Sequence, residues 1–226
     1  MQQLGVKDPR DFVSRYNIAP TTVIPAIRVR DSAREAVPLQ WGLVPWWAKT
    51  NKDGARLSNA RAEGIAGKPA FREAVRKRRC VVPANGFYEW QTIGKQKFPW
   101  YFQLRDESPF LFAGIWENWR SPDGVELETC ALITTSPNAV VVALHDRMPA
   151  ILQGDAVDRW LNASIQDPAQ IEPLLGPLPA ELMTSTPVSP RMNSVRYDGP
   201  DCLERVEPPC ATPAAPTSPQ LSLGLD

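Results

Sequence analysis

Twenty-four prolines in 226 residues, many of them at the edges of apolar runs, set the strongest limit on what this chain can fold into. Proline has a fixed φ and no N–H to donate, so a chain punctuated this often favours short strands and rigid turns over long helices. Alternating and β-branched segments predict strands over residues 23–30, 36–41, 80–82, 87–90, 98–104, 110–116 and 129–135. Ser121-Pro122-Asp123-Gly124 is a turn signal between two of these and fits antiparallel pairing. Helix candidates are fewer. Residues 68–79 place Phe71, Ala74 and Val75 on one side and basic residues on the other. Residues 137–144 offer Ser136 as N-cap and Pro137 at the first helical position, and residues 154–161 carry Asp155 near their start. Strands and helices do not alternate regularly. The expected fold class is therefore α+β: a single domain on a mainly antiparallel sheet, curled toward a barrel, with flanking helices.

Composition changes after residue 206. Residues 207–226 are rich in proline and alanine and read as an extended or disordered tail, ending in Gln220-Leu221-Ser222-Leu223-Gly224-Leu225-Asp226. Leucines at alternate positions suit an extended peptide that presents its side chains to pockets on a partner. Elsewhere no stretch approaches the ~20 apolar residues of a membrane span, and the start shows no basic segment followed by an apolar one. A soluble, cytoplasmic protein is expected, and nothing demands more than a monomer.

Lys plus Arg and Asp plus Glu both number 25, so global charge does not point to nucleic acid. The local pattern differs. Between residues 56 and 79, Arg56, Arg61, Lys68, Arg72, Arg76, Lys77, Arg78 and Arg79 face only Glu63 and Glu73. On charge alone this is equally a phosphate-binding face and an ordinary solvated one. Cys80, Cys130, Cys202 and Cys210 show no CxxC spacing, which argues against zinc. Cys80 and Cys130 sit in strand-like runs, where cysteine acts as a small buried hydrophobe, and disulfides are not expected in a reducing compartment.

The single histidine lies in His145-Asp146-Arg147-Met148-Pro149. One imidazole cannot build a two-histidine metal site, but imidazoles as a class titrate near neutrality and suit proton transfer. Alone, it would read as structural. Two more polar clusters interrupt apolar stretches: Asn59-Ala60-Arg61-Ala62-Glu63 and Gly86-Phe87-Tyr88-Glu89-Trp90. Together they supply an amide, a guanidinium and carboxylates. Glu89, set among Phe87, Tyr88 and Trp90, would be partly desolvated, which raises a carboxyl pKa and suits it to donate a proton. Without further context, a solvent-facing carboxylate at a strand end is the simpler reading of Glu89. Trp46 and Trp47 follow a proline in a loop-like segment, placed either to stack on bases or to pack over the sheet.

These segments, together with Arg15-Tyr16-Asn17-Ile18-Ala19-Pro20-Thr21, Trp41-Gly42-Leu43-Val44-Pro45, residues 78–90, Phe112-Ala113-Gly114-Ile115-Trp116-Glu117 and Thr134-Thr135, run in the order found in one family. The chain resembles the SOS-response-associated peptidase family, whose members are also described as abasic-site processing proteins. The resemblance implies binding of single-stranded DNA and covalent trapping of abasic sites by a cysteine at the mature N-terminus, after the initiator methionine is removed. The amine condenses with the ring-opened sugar aldehyde and the thiol closes a thiazolidine. An α-amine of pKa ~8 is partly neutral at pH 7, unlike a lysine near ~10.4. A thiol on the same carbon then reacts intramolecularly. Carried over motif by motif, Glu89 is implied as general acid/base, His145 as proton carrier and Asn59 as the group orienting the amine or sugar. Arg61 and Arg147 are implied as phosphate holders. No cofactor or metal is implied. A lyase-type and self-processing peptidase activity goes with the family, and no Ser or Cys nucleophile paired with His145 supports a wider protease role.

The chain departs from that pattern at its start. The second residue is Gln2, and only fourteen residues precede Arg15. None of the four cysteines carries a free α-amine. The expectation is that Met1 is an internal methionine, with the start upstream and Met1-Gln2-Gln3-Leu4-Gly5-Val6 the end of a helix that follows a missing first strand. The alternative is a variant that binds DNA without crosslinking. As written, the chain is expected to form no thiazolidine. The tail, Gln220, Leu221, Leu223 and Leu225, resembles the glutamine-and-leucine peptides by which bacterial replication and repair proteins dock on the sliding clamp.

Overall fold

The computed structural model describes residues 13–52 and 54–209. The expected helix end at Met1–Val6 and the peptide at Gln220, Leu221, Leu223 and Leu225 lie outside these residues. In chain order the strands are β1 (Val23–Arg30), β2 (Ala33–Trp41), β3 (Asn59–Arg61), β4 (Arg79–Ala84), β5 (Phe87–Ile93) and β6 (Gln96–Leu104). They continue as β7 (Phe110–Arg120), β8 (Glu126–Thr135), β9 (Met148–Pro149), β10 (Ile151–Leu152) and β11 (Met183–Pro187). The helices are α1 (Arg72–Lys77), α2 (Asp155–Leu161) and α3 (Pro168–Ile171).

The long hairpins fold as their sequence dictates. Asp31 and Ser32 adopt φ of 50° and 63°, the left-handed pair that a two-residue hairpin turn requires, and so set β1 against β2. β1 then pairs with β4, β4 with β7 and β7 with β8, all antiparallel. β8 returns to β2 in parallel register, Gln40 opposite Thr129, which closes a five-strand ring. β3 extends β8 in parallel, while β9 and β10 add to β8 and β7. β11, β6 and β5 form a second, antiparallel sheet. The curled, mainly antiparallel α+β domain is thus as the sequence predicts.

The two faces of the ring strands enter two apolar clusters. Ile27, Val81, Ile115 and Ile133 pack with Val75 of α1 and Trp160 of α2. Ile24, Leu39, Cys80, Phe112 and Cys130 fill the ring interior, and that cluster continues into Phe102 and Met183 of the second sheet. Burial on both faces explains why these strands read as apolar runs rather than clean alternations. Gly114 is needed here: a Cβ would stand 3.0 Å from the Cys80 Sγ. At the interior edge Arg28 lies 4.1 Å over the Trp116 ring and bonds Glu35 and Glu128 at 2.7 Å each, tying β1, β2 and β8 together.

Of the expected helices, the 154–161 segment forms α2 over Asp155–Leu161, and the other two fall short of their patterns. The 68–79 segment is helical only over Arg72–Lys77, because Pro69 holds its start in turns and Arg79 is drawn into β4 opposite Ile115. The buried Arg79 guanidinium donates to the carbonyls of Val75, Arg76, Trp160 and Asn162, capping the ends of α1 and α2 together. Burial pulls its pKa down to about 10, still far above neutrality. Residues 137–144 form successive turns, not a helix. The cap is Asn138 rather than Ser136: its Oδ1 accepts from the N–H groups of Val140 and Val141 at 3.0 and 3.1 Å. β11 escaped the sequence reading because Met183-Thr184-Ser185-Thr186-Pro187 has no apolar period and becomes a strand only by pairing with β6.

Candidate functional site

Glu89 sits in the middle of β5, opposite Trp100 of β6. The β5–β6 turn is made by Gly94 at φ 61°, a left-handed position, so the hairpin presents Glu89 at a fixed height. Its side chain is 19% exposed, and it has no hydrogen-bond partner among the described residues. Burial pushes its pKa up; His145 opposes the rise and Asp146 adds to it. The sequence expectation of a partly desolvated carboxyl matches this environment.

His145 reaches the same place from the turns capped by Asn138, its own N–H donating to the carbonyl of Val141 at 3.0 Å. Its Nδ1 lies 3.9 Å from the Glu89 Oε1 and 3.5 Å from the Asp146 Oδ1. The Arg147 N–H donates to Nδ1 at 3.0 Å, and the Arg147 carbonyl stands 3.1 Å from the same nitrogen. Either protonation state of Nδ1 therefore finds a backbone partner: the lone pair accepts from N–H, or the proton faces C=O.

Arg147 is committed elsewhere than a free guanidinium would be. It forks on the Glu63 carboxylate with two 2.8 Å bonds and gives a third to the Thr134 carbonyl at 2.5 Å. Glu63 follows β3, on which Asn59 and Arg61 are exposed while Ala60 between them is buried, as strand alternation requires. Arg61 is opposite Thr134 in register, so the β3 face adjoins the Arg147 anchor. Asn59 makes no hydrogen bond with Glu89 or His145 among the described residues.

Trp46 and Trp47 are 62% and 54% exposed, so neither packs over the sheet. Their loop is nevertheless pinned: the Val44 N–H donates to Thr129 Oγ1 at 2.9 Å, and the Trp119 Nε1 to the Ala48 carbonyl at 2.7 Å. Two indoles thus stand largely in water on a loop held by the barrel strands. A cavity of ≈ 450 Å³ lies well away, lined by Val29, Arg34 and Asp158 among others. None of Glu89, His145, Asn59 or Arg61 lines that cavity. No cluster able to hold a metal ion occurs among the described residues. The structure adds two residues to the sequence-derived set, Glu63 through its fork and Asp146 through its place beside His145. No local pattern predicts a pairing between positions as distant as Glu63 and Arg147.

The family described as SOS response associated peptidase (SRAP) matches residues 1–195. Abasic site processing protein YoqW of Bacillus subtilis (strain 168) is 40% identical over 195 residues, covering 86% of this chain and 87% of its own length. Abasic site processing protein HMCES of Gallus gallus is 34% identical over 224 residues, covering 85% of this chain and 66% of its own length. A crystal structure of a protein from Bacteroides thetaiotaomicron superposes with a TM-score of 0.74 at 34% identity, covering 83% of this chain and 82% of that one.

Proposed function

The chain belongs to the SOS response associated peptidase family, and from that premise we propose that it binds single-stranded DNA and processes abasic sites on the face that carries Glu89, His145, Asn59 and Arg61. The observation that carries this reading is the desolvated Glu89 carboxyl 3.9 Å from the only imidazole of the chain. A carboxyl kept protonated above its ordinary range is an acid for the sugar oxygen and for the water lost on imine formation. His145 returns protons, Asn59 orients the amine or the sugar, and exposed Arg61 holds a flanking phosphate. Arg147 takes part in phosphate holding as a neighbour of Arg61, and Trp46 and Trp47 stack on bases.

In the covalent form of the reaction, an N-terminal amine attacks the aldehyde carbon of the opened sugar and water leaves. A thiol on the same residue then adds to the imine carbon, its proton passing to nitrogen, which gives a thiazolidine. The same carboxyl would serve removal of the initiator methionine. Since residue 2 is Gln2, the test supplies the nucleophile. Protein with and without an added Cys-Gly-Arg leader is incubated with abasic single-stranded DNA and run on denaturing gels. A shifted band with the leader alone is expected. No band with either protein overturns the covalent chemistry. Retardation on native gels alone then supports a non-covalent single-strand binder, and cleavage of added peptides would favour a wider peptidase.

The reading extends to a partner through the tail. Gln220, Leu221, Leu223 and Leu225 are proposed to dock on a bacterial sliding clamp as an extended peptide. Removing residues 220–226 should abolish clamp retention in a pull-down and leave DNA binding intact. Unchanged retention refutes it.

A further inference from the structure

The orientation of His145 is decided by a residue that does not touch it. Both polar backbone groups of Arg147 bracket the His145 Nδ1, at 3.0 Å for N–H and 3.1 Å for C=O. An amide N–H donates to a bare Nδ1 and a carbonyl accepts from a protonated one, so the pair holds the ring edge whichever nitrogen carries the proton. Whatever holds the Arg147 backbone therefore aims the His145 ring toward Glu89.

The Arg147 side chain supplies that hold. Its two Glu63 bonds form a bidentate fork, the most directional of the charge-assisted arrangements, and the Thr134 carbonyl takes a third bond at 2.5 Å. The same carbonyl accepts the Ala62 N–H at 2.8 Å, one residue before Glu63. The turn at 145–147 is thus keyed to the exit of β3, the strand that carries Asn59 and Arg61. The Arg147 Nε is buried without a partner among the described residues.

We infer that Glu63 is a positioning residue: through its fork on Arg147 it fixes the backbone that orients the His145 ring. The consequence for chemistry rests on the function proposed above; the geometry is testable without DNA. An ordinary exposed ion pair would have no effect on the ring.

His145 is the only histidine in the chain, so ¹⁵N spectra of the untagged full-length protein report one imidazole. The wild-type ring should give one sharp set of ring resonances. E63Q should broaden or split them, E63D should restore most of the wild-type pattern, and E73Q on α1 should change nothing. A wild-type pattern in E63Q overturns the inference, as does an E63Q protein whose only change is tighter DNA retention, which would make Glu63 a shield over a phosphate site. In leader-bearing protein, E63Q should slow crosslinking on the order of tenfold to a hundredfold with DNA retention unchanged. If leader-bearing wild type does not crosslink, the proposed function falls, while the ring spectra still decide the role of Glu63.

Discussion

Glu89 shows at the residue scale how a site is made from placement. Burial raises its pKa, His145 pulls against that rise and Asp146 reinforces it. The folded state then binds the Glu89 proton more tightly than the unfolded chain does, so Glu89 costs stability as pH rises from the ordinary glutamate range through its raised value. E89Q should melt above wild type at pH 7, with the gap closing as pH falls to the ordinary glutamate range; calorimetry across that range checks it, and a constant gap contradicts it. In leader-bearing protein the same change should slow abasic-site crosslinking roughly 10²- to 10⁴-fold, the usual reach of a general acid. Trp46 and Trp47 separate binding from folding. Because both indoles stand in water, replacing either with Ala should weaken single-strand DNA binding by about 1 kcal/mol and leave Tm unchanged. The residue types at this site were legible in the sequence as polar interruptions of apolar runs. The Glu63–Arg147 fork was not, since nothing local to either residue encodes the other.

Elements that carry their own turn chemistry were readable, and those that depend on neighbours were not. β1 is written in β-branched residues, and Asp31 and Ser32 make its turn into β2. The segment at 137–144 has a good helical start on paper, yet Asn138 rather than Ser136 caps it, which moves the start two residues on and leaves only a few turns before His145. Asn138 also donates to the Leu178 carbonyl at 2.9 Å, anchoring the approach to His145. N138A should cost about 1–2 kcal/mol in denaturant unfolding. Amide exchange should quicken at Val141 and His145 before it does in β7 or β8; uniform protection would refute that order. α1 likewise stops where Arg79 is needed to cap two helices from within β4, a demand that helical periodicity does not contain.

Ring closure is the event that organises the whole molecule. Arg28, with a side chain 3% exposed, joins Glu35 and Glu128 across three of the five closing strands. Burial works to lower its pKa, but the bonds to Glu128 and Glu35 outweigh it and the net shift is upward. R28M keeps the bulk over Trp116 and leaves Glu35 and Glu128 to Arg30 alone, at 3.4 and 3.8 Å. Both are about one-third exposed, so the cost should be about 2 kcal/mol rather than the larger loss of a fully buried pair. Denaturant melts with an unchanged slope would read this as lost stability; a loss under ~0.5 kcal/mol would show that the ring closes without the ionic tie.

By itself the sequence determined the strand-rich α+β class, the long hairpins and the identity of the polar groups, because proline placement, β-branching and turn residues act over a few neighbours. The tertiary structure alone decided the parallel return of β8 to β2, the short strands β3 and β11, and the meeting of Glu89 with His145. It also decided that Arg147 is held by Glu63. Each of these depends on contacts between residues far apart in the chain, whose energies appear only after the ring has closed.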